Sequence, residues 1–255
     1  MNVCFLEVSP TGPLPGKHRE EIIDFFGDNY YFVTHDDEHP DALSYNKGHT
    51  WAKNRNYLAK NVPRKYDYYW FTDYDVQYDS STSLSVCEQI IQDLETMNPA
   101  VMVCHDEQKV KSNHGGVPYS GKPFSNIMMS NNQMKIVHSS LIDWFFPLPT
   151  VFGGIWDACH FFNVLETPFI KSVICTYNVT CQGLVSDVKS QGGDMTSMHN
   201  ELNKVFANSL PNDKNHAEFK RMFQSAASRI EPSQYTPGSI DVNRCFDVQK
   251  LNKIR

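Results

Sequence analysis

Strand and helix patterns alternate through the first 105 residues of this chain, and that alternation limits its fold more than any other feature. "NVCFLEV" (2–8) is a short apolar strand, followed by a turn-rich "SPTGPLPGK" and an amphipathic "HREEIIDFFG" closed by Gly27. "NYYFVTH" (29–35) is a second strand. "TWAKNRNYLAKNV" (50–62) places Trp51, Arg55, Leu58 and Val62 on one helical face. "YDYYWFTD" is the third strand. "SVCEQIIQDLETM" is a helix with Ser85 and Glu88 spaced as a capping box, and Leu84, Cys87, Ile91 and Leu94 as its apolar stripe. "AVMVC" (100–104) is the fourth strand. A βαβαβαβ order implies an α/β fold, with a mixed, mainly parallel sheet flanked by helices.

Beyond residue 105 the expectations are a polar, Gly-containing loop (106–123), a strand at 125–130 and a helix over "MKIVHSSLIDWFF" (134–146). A Gly-Gly turn then leads into a helix in "FGGIWDACHFFNVL", and a strand follows at 169–179. The rest reads as a helical extension, residues 201–255, packed on the same domain. Residues 1–200 read as one domain, with halves 1–105 and 106–200.

Composition narrows the function classes. The chain has 255 residues, enough for a sizeable core, with 40% hydrophobic and 20% charged residues. The net charge is −6 and no basic run stands out, which argues against a nucleic-acid surface. No apolar stretch reaches the roughly 18 residues of a membrane span. The start, "MNVCFLEVSP", lacks the features of a signal peptide. Seven scattered cysteines without a CxxC pair read as free thiols of a reducing compartment. The expectation is a cytoplasmic protein, in which the sequon Asn178-Val179-Thr180 is a chance match.

The chemistry gathers at "YYWFTDYDVQYD" (68–79). Four aromatic residues run directly into Asp73, Asp75 and Asp79. Buried strands do not ordinarily end in clustered like charges, because carboxylates repel and are costly to desolvate. Residues i and i+2 of a strand point to one side, so Asp73 and Asp75 can share a divalent cation or a cation–phosphate complex. Hard oxygen ligands suit Mg²⁺ or Mn²⁺. The bland alternative is a solvated pair or a helix cap, and Asp79 reads as part of the turn before the next helix. Arg55, on an otherwise apolar helix face, needs a partner because it cannot deprotonate. The third strand's carboxylates and a diphosphate are both available, and a snorkelling rim position is the plain alternative.

A strand ending in Asp-Asp ("FVTHDD"), a helix bearing Arg-Asn ("WAKNRNYL") and a strand ending in Asp-x-Asp ("YYWFTDYD") together resemble the GT-A glycosyltransferases over roughly residues 1–200. The resemblance implies a Rossmann-like sandwich that uses a nucleoside-diphosphate sugar as donor, with Mn²⁺ or Mg²⁺ on the DxD motif. It implies Asp36 near the base or ribose, although the "DDEHPD" ending departs from the family's Gly-Ser-type turn and leaves Asp36 and Asp37 in competition. It implies Arg55 by the nucleotide or bracing the acidic loop, Asp73 facing ribose or metal, and Asp75 as the principal metal ligand. In "FGGIWDACHFF" it implies Asp157 as the base that deprotonates a carbohydrate-type acceptor and Trp156 as a stacking surface. The residue-level alternative is an acid at a helix N-terminus with Trp156 in the core. The resemblance also implies a late histidine ligand, for which His199 stands against His105 and His114.

Two other readings stay open. A sugar-phosphate nucleotidyltransferase carries a Gly-rich, basic loop after its first strand, and Gly12, Gly16, Lys17 and Arg19 echo one. A noncatalytic nucleotide- or carbohydrate-binding domain is the other.

Overall fold

A computed structural model describes residues 1–13, 17–106, 122–126, 133–148 and 173–183. His114, Trp156, Asp157, His199 and the expected C-terminal helical extension lie outside the described residues.

The first half is parallel. β1 (Val3–Ser9), β2 (Tyr30–Thr34), β3 (Ser44–Tyr45) and β4 (Tyr68–Asp73) lie side by side in the order β3-β2-β1-β4. Val8 stands level with both Val33 and Asp73, so the carboxyl ends of three strands form one edge. Helix α1 (Lys17–Phe26) returns the chain from β1 to β2. It stops at Gly27, whose φ of 49° is the left-handed value that favours glycine at a helix end. Helix α2 (Trp51–Asn61) starts on the Thr50 hydroxyl, which accepts from the Lys53 N–H. It ends because Pro63 forces Val62 out of helical geometry.

The second half mixes directions. β5 (Val76–Ser80), α3 (Val86–Met97), β6 (Val101–His105), β7 (Phe124–Asn126), β8 (Met134–His138), α4 (Ile142–Phe145) and β9 (Val173–Gly183) follow in chain order. The sheet continues β4-β8-β6-β9-β5, with β7 also on β9. Among the described residues four strand pairings are parallel and four antiparallel, so the expected mainly parallel sheet holds only for its first half.

Two other expectations change. Residues 134–146 are not one helix: Met134–His138 form the strand that joins the two halves, and only residues 139–145 turn helically. Both faces of that strand are covered, with Met134 and Ile136 in one core and Val137 in the other, so the pattern shows no simple alternation. Asp79 sits within β5 opposite Thr180, not in a turn before α3.

The sheet separates two cores. Leu6, Leu58, Phe71, Val137 and Phe145 pack on the α2 side, and Phe5, Ile22, Trp70, Ile90 and Ile136 on the α1 and α3 side. Each large apolar side chain so buried contributes about 1.5–3 kcal/mol. Phe5 meets Trp70 edge-on at 4.9 Å, tying β1 to β4 directly below the acidic edge. Cys4, Cys87, Cys104, Cys175 and Cys181 are buried free thiols. Asn178 of the sequon lies in β9, and its amide donates to Asp93 at 2.8 Å. Among the described residues no helix is long and apolar enough to cross a membrane.

Candidate functional site

The carboxyl end of β1 organises the acidic edge. The Pro10 carbonyl accepts from the backbone N–H groups of His35, Asp36 and Asp37 at 3.2, 2.9 and 3.2 Å, which fixes the loop after β2. The Ser9 hydroxyl donates to the Gly12 carbonyl and accepts from the Gly12 N–H, closing the loop after β1. Gly12 has a φ of 144°, and a Cβ there would lie 2.7 Å from the His39 ring, so only glycine fits. On the other side the Tyr74 N–H donates to the Val8 carbonyl at 3.1 Å, which fixes the loop after β4. The chain leaves β1 for β2 in one direction and reaches β4 in the other. Ligands of open α/β sheets bind beyond the carboxyl ends at such a switch point.

Asp73 is locked in place. Its Oδ1 accepts from Trp51 Nε1 at 2.6 Å and from Arg55 Nη2 at 3.0 Å. Arg55 is fully buried, lies 3.9 Å from the centre of the Trp51 ring, and also donates to the Gln133 carbonyl at 3.2 Å. Among the described residues, Nε and Nη1 of Arg55 have no hydrogen-bond partner. Burial pushes the Asp73 carboxyl up, Arg55 and Trp51 pull it down, and the charge of Asp75 pushes it up again, for a net rise.

Asp75 is 8% exposed, in the turn between β4 and β5. Its charge is felt by Asp73, by the Tyr74 phenol and by a third buried carboxylate, Glu7 of β1. Glu7 is 0% exposed. Its Oε2 accepts from the Tyr30 hydroxyl at 2.7 Å and lies 3.0 Å from Nη1 of Arg19, a charge contact in which no N–H points at the oxygen. Burial raises the Glu7 carboxyl more than Arg19 and Tyr30 lower it. Arg19, at the start of α1, donates through Nη2 to the Tyr74 carbonyl at 2.9 Å and reaches the Val76 carbonyl at 3.4 Å.

The remaining sites divide as follows. Asp36 is an exposed side chain with its carboxylate 3.0 Å from His35 Nδ1, and its carbonyl accepts from the Tyr45 hydroxyl. Burial raises the Tyr74 phenol, and the charges of Asp75, Asp36 and Asp73 raise it further. His105, at the end of β6, packs against Tyr177 at 4.8 Å. Arg55 meets Asp73, one of the third-strand carboxylates that the sequence offers it as partners. Glu7 and Arg19 were not singled out as a pair. Their signal is an acid inside an otherwise apolar strand, "VCFLEVS", followed by an arginine at the start of the next helix.

Among the described residues no group of three or more His, Cys, Asp or Glu side chains is arranged to hold a metal ion. Asp73 and Asp75 are two carboxylates, and Mg²⁺ or Mn²⁺ commonly takes one or two carboxylates and completes its shell with waters and substrate phosphates. The donor set is suitable chemically: hard oxygens, clustered like charge, and little exposure.

No family model matches the chain, and no curated protein does. Solved structures with some likeness include the A197 protein of STIV (14% identity, TM-score 0.45, 73% of this chain and 87% of that one). Another is a Bacillus anthracis protein assigned as a glucose-1-phosphate thymidylyltransferase and crystallised with sucrose (9% identity, TM-score 0.45, 90% and 97%). A third is a glycosyltransferase involved in glycosylation of the major capsid of PBCV-1 (18% identity, TM-score 0.31, 55% and 63%).

Proposed function

We propose that the chain is a glycosyltransferase that moves a sugar from a nucleoside-diphosphate sugar to an acceptor hydroxyl with the help of Mn²⁺ or Mg²⁺. One observation carries this reading: two nearly buried carboxylates, Asp73 and Asp75, stand at the carboxyl edge of a parallel strand beside the switch point. Their mutual repulsion has a use if a cation–diphosphate is the ligand.

Asp75 is the principal ligand in this proposal. Asp73 has Oδ1 committed to Arg55 and Trp51, so its part is to hold negative charge in a fixed position beside Asp75. Asp36, in the loop after β2, meets the ribose or base. His199 supplies a further ligand, Trp156 a stacking face for the sugar, and Asp157 the base that takes the acceptor proton, which leads to inversion. When bound, the divalent cation supplies Lewis-acid neutralisation of the charge that develops on the departing diphosphate.

A nucleotidyltransferase would need the basic loop after β1 to meet a triphosphate. Arg19 is instead spent on Glu7 and on the carbonyls of Tyr74 and Val76, which favours the glycosyltransferase.

The test is a thermal-shift comparison of UDP, GDP, ADP and their sugar conjugates, with and without Mn²⁺. A ligand bound by the native state alone raises the midpoint. Stabilisation by one nucleotide that requires Mn²⁺, followed by Mn²⁺-dependent sugar transfer or hydrolysis, is expected. Stabilisation only by nucleoside triphosphates, with pyrophosphate released from the triphosphate as a sugar phosphate takes up the nucleotidyl group, would move the assignment to nucleotidyl transfer.

A further inference from the structure

We infer that Arg19 is the positioning residue of the Asp75 turn, and that its grip on the backbone either side of Asp75 sets the cation affinity of the site. The inference rests on the reading of Asp75 as a cation ligand.

The turn from β4 to β5 is only two residues long, Tyr74 and Asp75. A carboxylate on so short a turn is no better placed than its backbone. That backbone is held from two directions. From β1, the Val8 carbonyl takes the Tyr74 N–H at 3.1 Å. From α1, Arg19 Nη2 serves the carbonyls of Tyr74 and Val76, the residues immediately before and after Asp75, at 2.9 and 3.4 Å.

Arg19 is itself held. It is 7% exposed, its Nη1 lies 3.0 Å from Glu7 Oε2, and its guanidinium carbon is 5.7 Å from the Phe5 ring centre. Glu7 is anchored in turn by the Tyr30 hydroxyl at 2.7 Å. α1, β1 and β2 therefore converge on one guanidinium, and that guanidinium on one turn. A buried Glu–Arg pair is a costly way to gain stability alone, since packed apolar side chains often do as well. A rigid fork that reaches two carbonyls and a carboxylate at once is what placement of a ligand requires, and lysine cannot reproduce it.

The arrangement predicts separate effects on metal affinity and on stability. Three variants of the full chain separate them: Arg19→Gln, Arg19→Lys, which keeps the charge opposite Glu7, and Ile22→Val. Ile22 is a buried core residue of α1. The measurements are the Mn²⁺ dissociation constant, from the electron paramagnetic resonance of unbound Mn²⁺ with and without UDP or GDP, and the thermal midpoint in EDTA. Arg19→Lys and Arg19→Gln are expected to weaken Mn²⁺ by about 10–100-fold, the range for residues that orient a ligand. Ile22→Val should lower the midpoint and leave the dissociation constant within about twofold, as expected of a core methyl lost away from the site.

Wild-type affinity in Arg19→Lys overturns the inference and leaves Asp75 as ligand untouched. Equal weakening in Ile22→Val also overturns it, because the effect is then general loosening of α1. Failure of the wild type to bind Mn²⁺ under any of these conditions removes the reading of Asp75 itself, and the inference falls with it.

Discussion

Arg55 Nη2 lies 3.0 Å from Asp73 Oδ1, with the arginine fully enclosed and its ring partner Trp51 donating to the same oxygen at 2.6 Å. The pair joins α2 to the end of β4 and gives Asp73 a direct cation contact. Removal of one partner from a buried pair strands the other's charge. Arg55→Met should therefore lose about 3–5 kcal/mol of unfolding free energy. Addition of Asp73→Asn should cost less than the sum of the two single changes, because the stranded carboxylate is then gone. Urea unfolding of the two single variants and the double variant measures the coupling, and additive losses would show that the pair does not act as a unit.

Asp75→Asn isolates the proposed ligand from the fold. The residue sits in a turn held by backbone contacts to β1 and α1, and loss of its charge relieves repulsion on Asp73 and Glu7. The variant should keep the wild-type circular dichroism spectrum, lose its Mn²⁺-dependent thermal shift and drop about a hundredfold or more in transfer rate, the scale on which single electrostatic contributors act. Full activity in this variant, or in excess EDTA, would remove the metal role.

Gly12→Ala tests the loop that carries Asp36. Its φ of 144° and the 2.7 Å approach of an added Cβ to His39 Cδ2 leave no room for a side chain. The His39 ring also packs edge-on against Phe32 at 5.1 Å, so it cannot yield without disturbing β2. The substitution should cost about 1–3 kcal/mol, the usual price of a strained backbone position. Nucleotide affinity should fall while Mn²⁺ affinity stays, because the Asp75 turn is tied to Val8 and Arg19 instead. Calorimetric titration with each ligand separates the two, and equal losses would place both on one loop.

The parts of the fold legible in the sequence are those where local chemistry and tertiary role agree. Ser85 and Glu88 form the reciprocal capping box that their spacing announces, and α3 starts there. β1, β2 and β4 are buried runs that end in polar residues, as parallel strands do. β8 differs from the expected helix because Met134, Val137, Leu141 and Phe145 recur at a spacing that also suits a helix, and pairing with β4 and β6 decides the state of residues 134–138. β5 carries a readable signal, since Val76 and Tyr78 are buried while Gln77 and Asp79 are exposed, but its one acidic residue, Asp79, suggests a turn. In the site, a charge on an apolar face gave away Arg55. Glu7 and Arg19 meet only through folding, as do the loops that converge on Pro10 and Val8.

Proton linkage offers a measure of the buried carboxylates that needs no ligand. Burial raises the Glu7 carboxyl above its ordinary value, and the charges of Asp73 and Asp75 add to that rise. A raised carboxyl binds its proton more tightly in the native state than in the unfolded chain. Its contribution to stability is therefore complete below the ordinary carboxylate value and is lost as pH rises through the native one. Arg19 stays charged throughout, so Glu7→Gln shifts stability by a constant through Arg19 and removes the sloping part. Urea unfolding in EDTA between about pH 4.5 and 8 should give a wild-type minus Glu7→Gln difference that decreases with pH. A difference that increases with pH would mean that Arg19 and Tyr30 outweigh burial and hold Glu7 below its ordinary value.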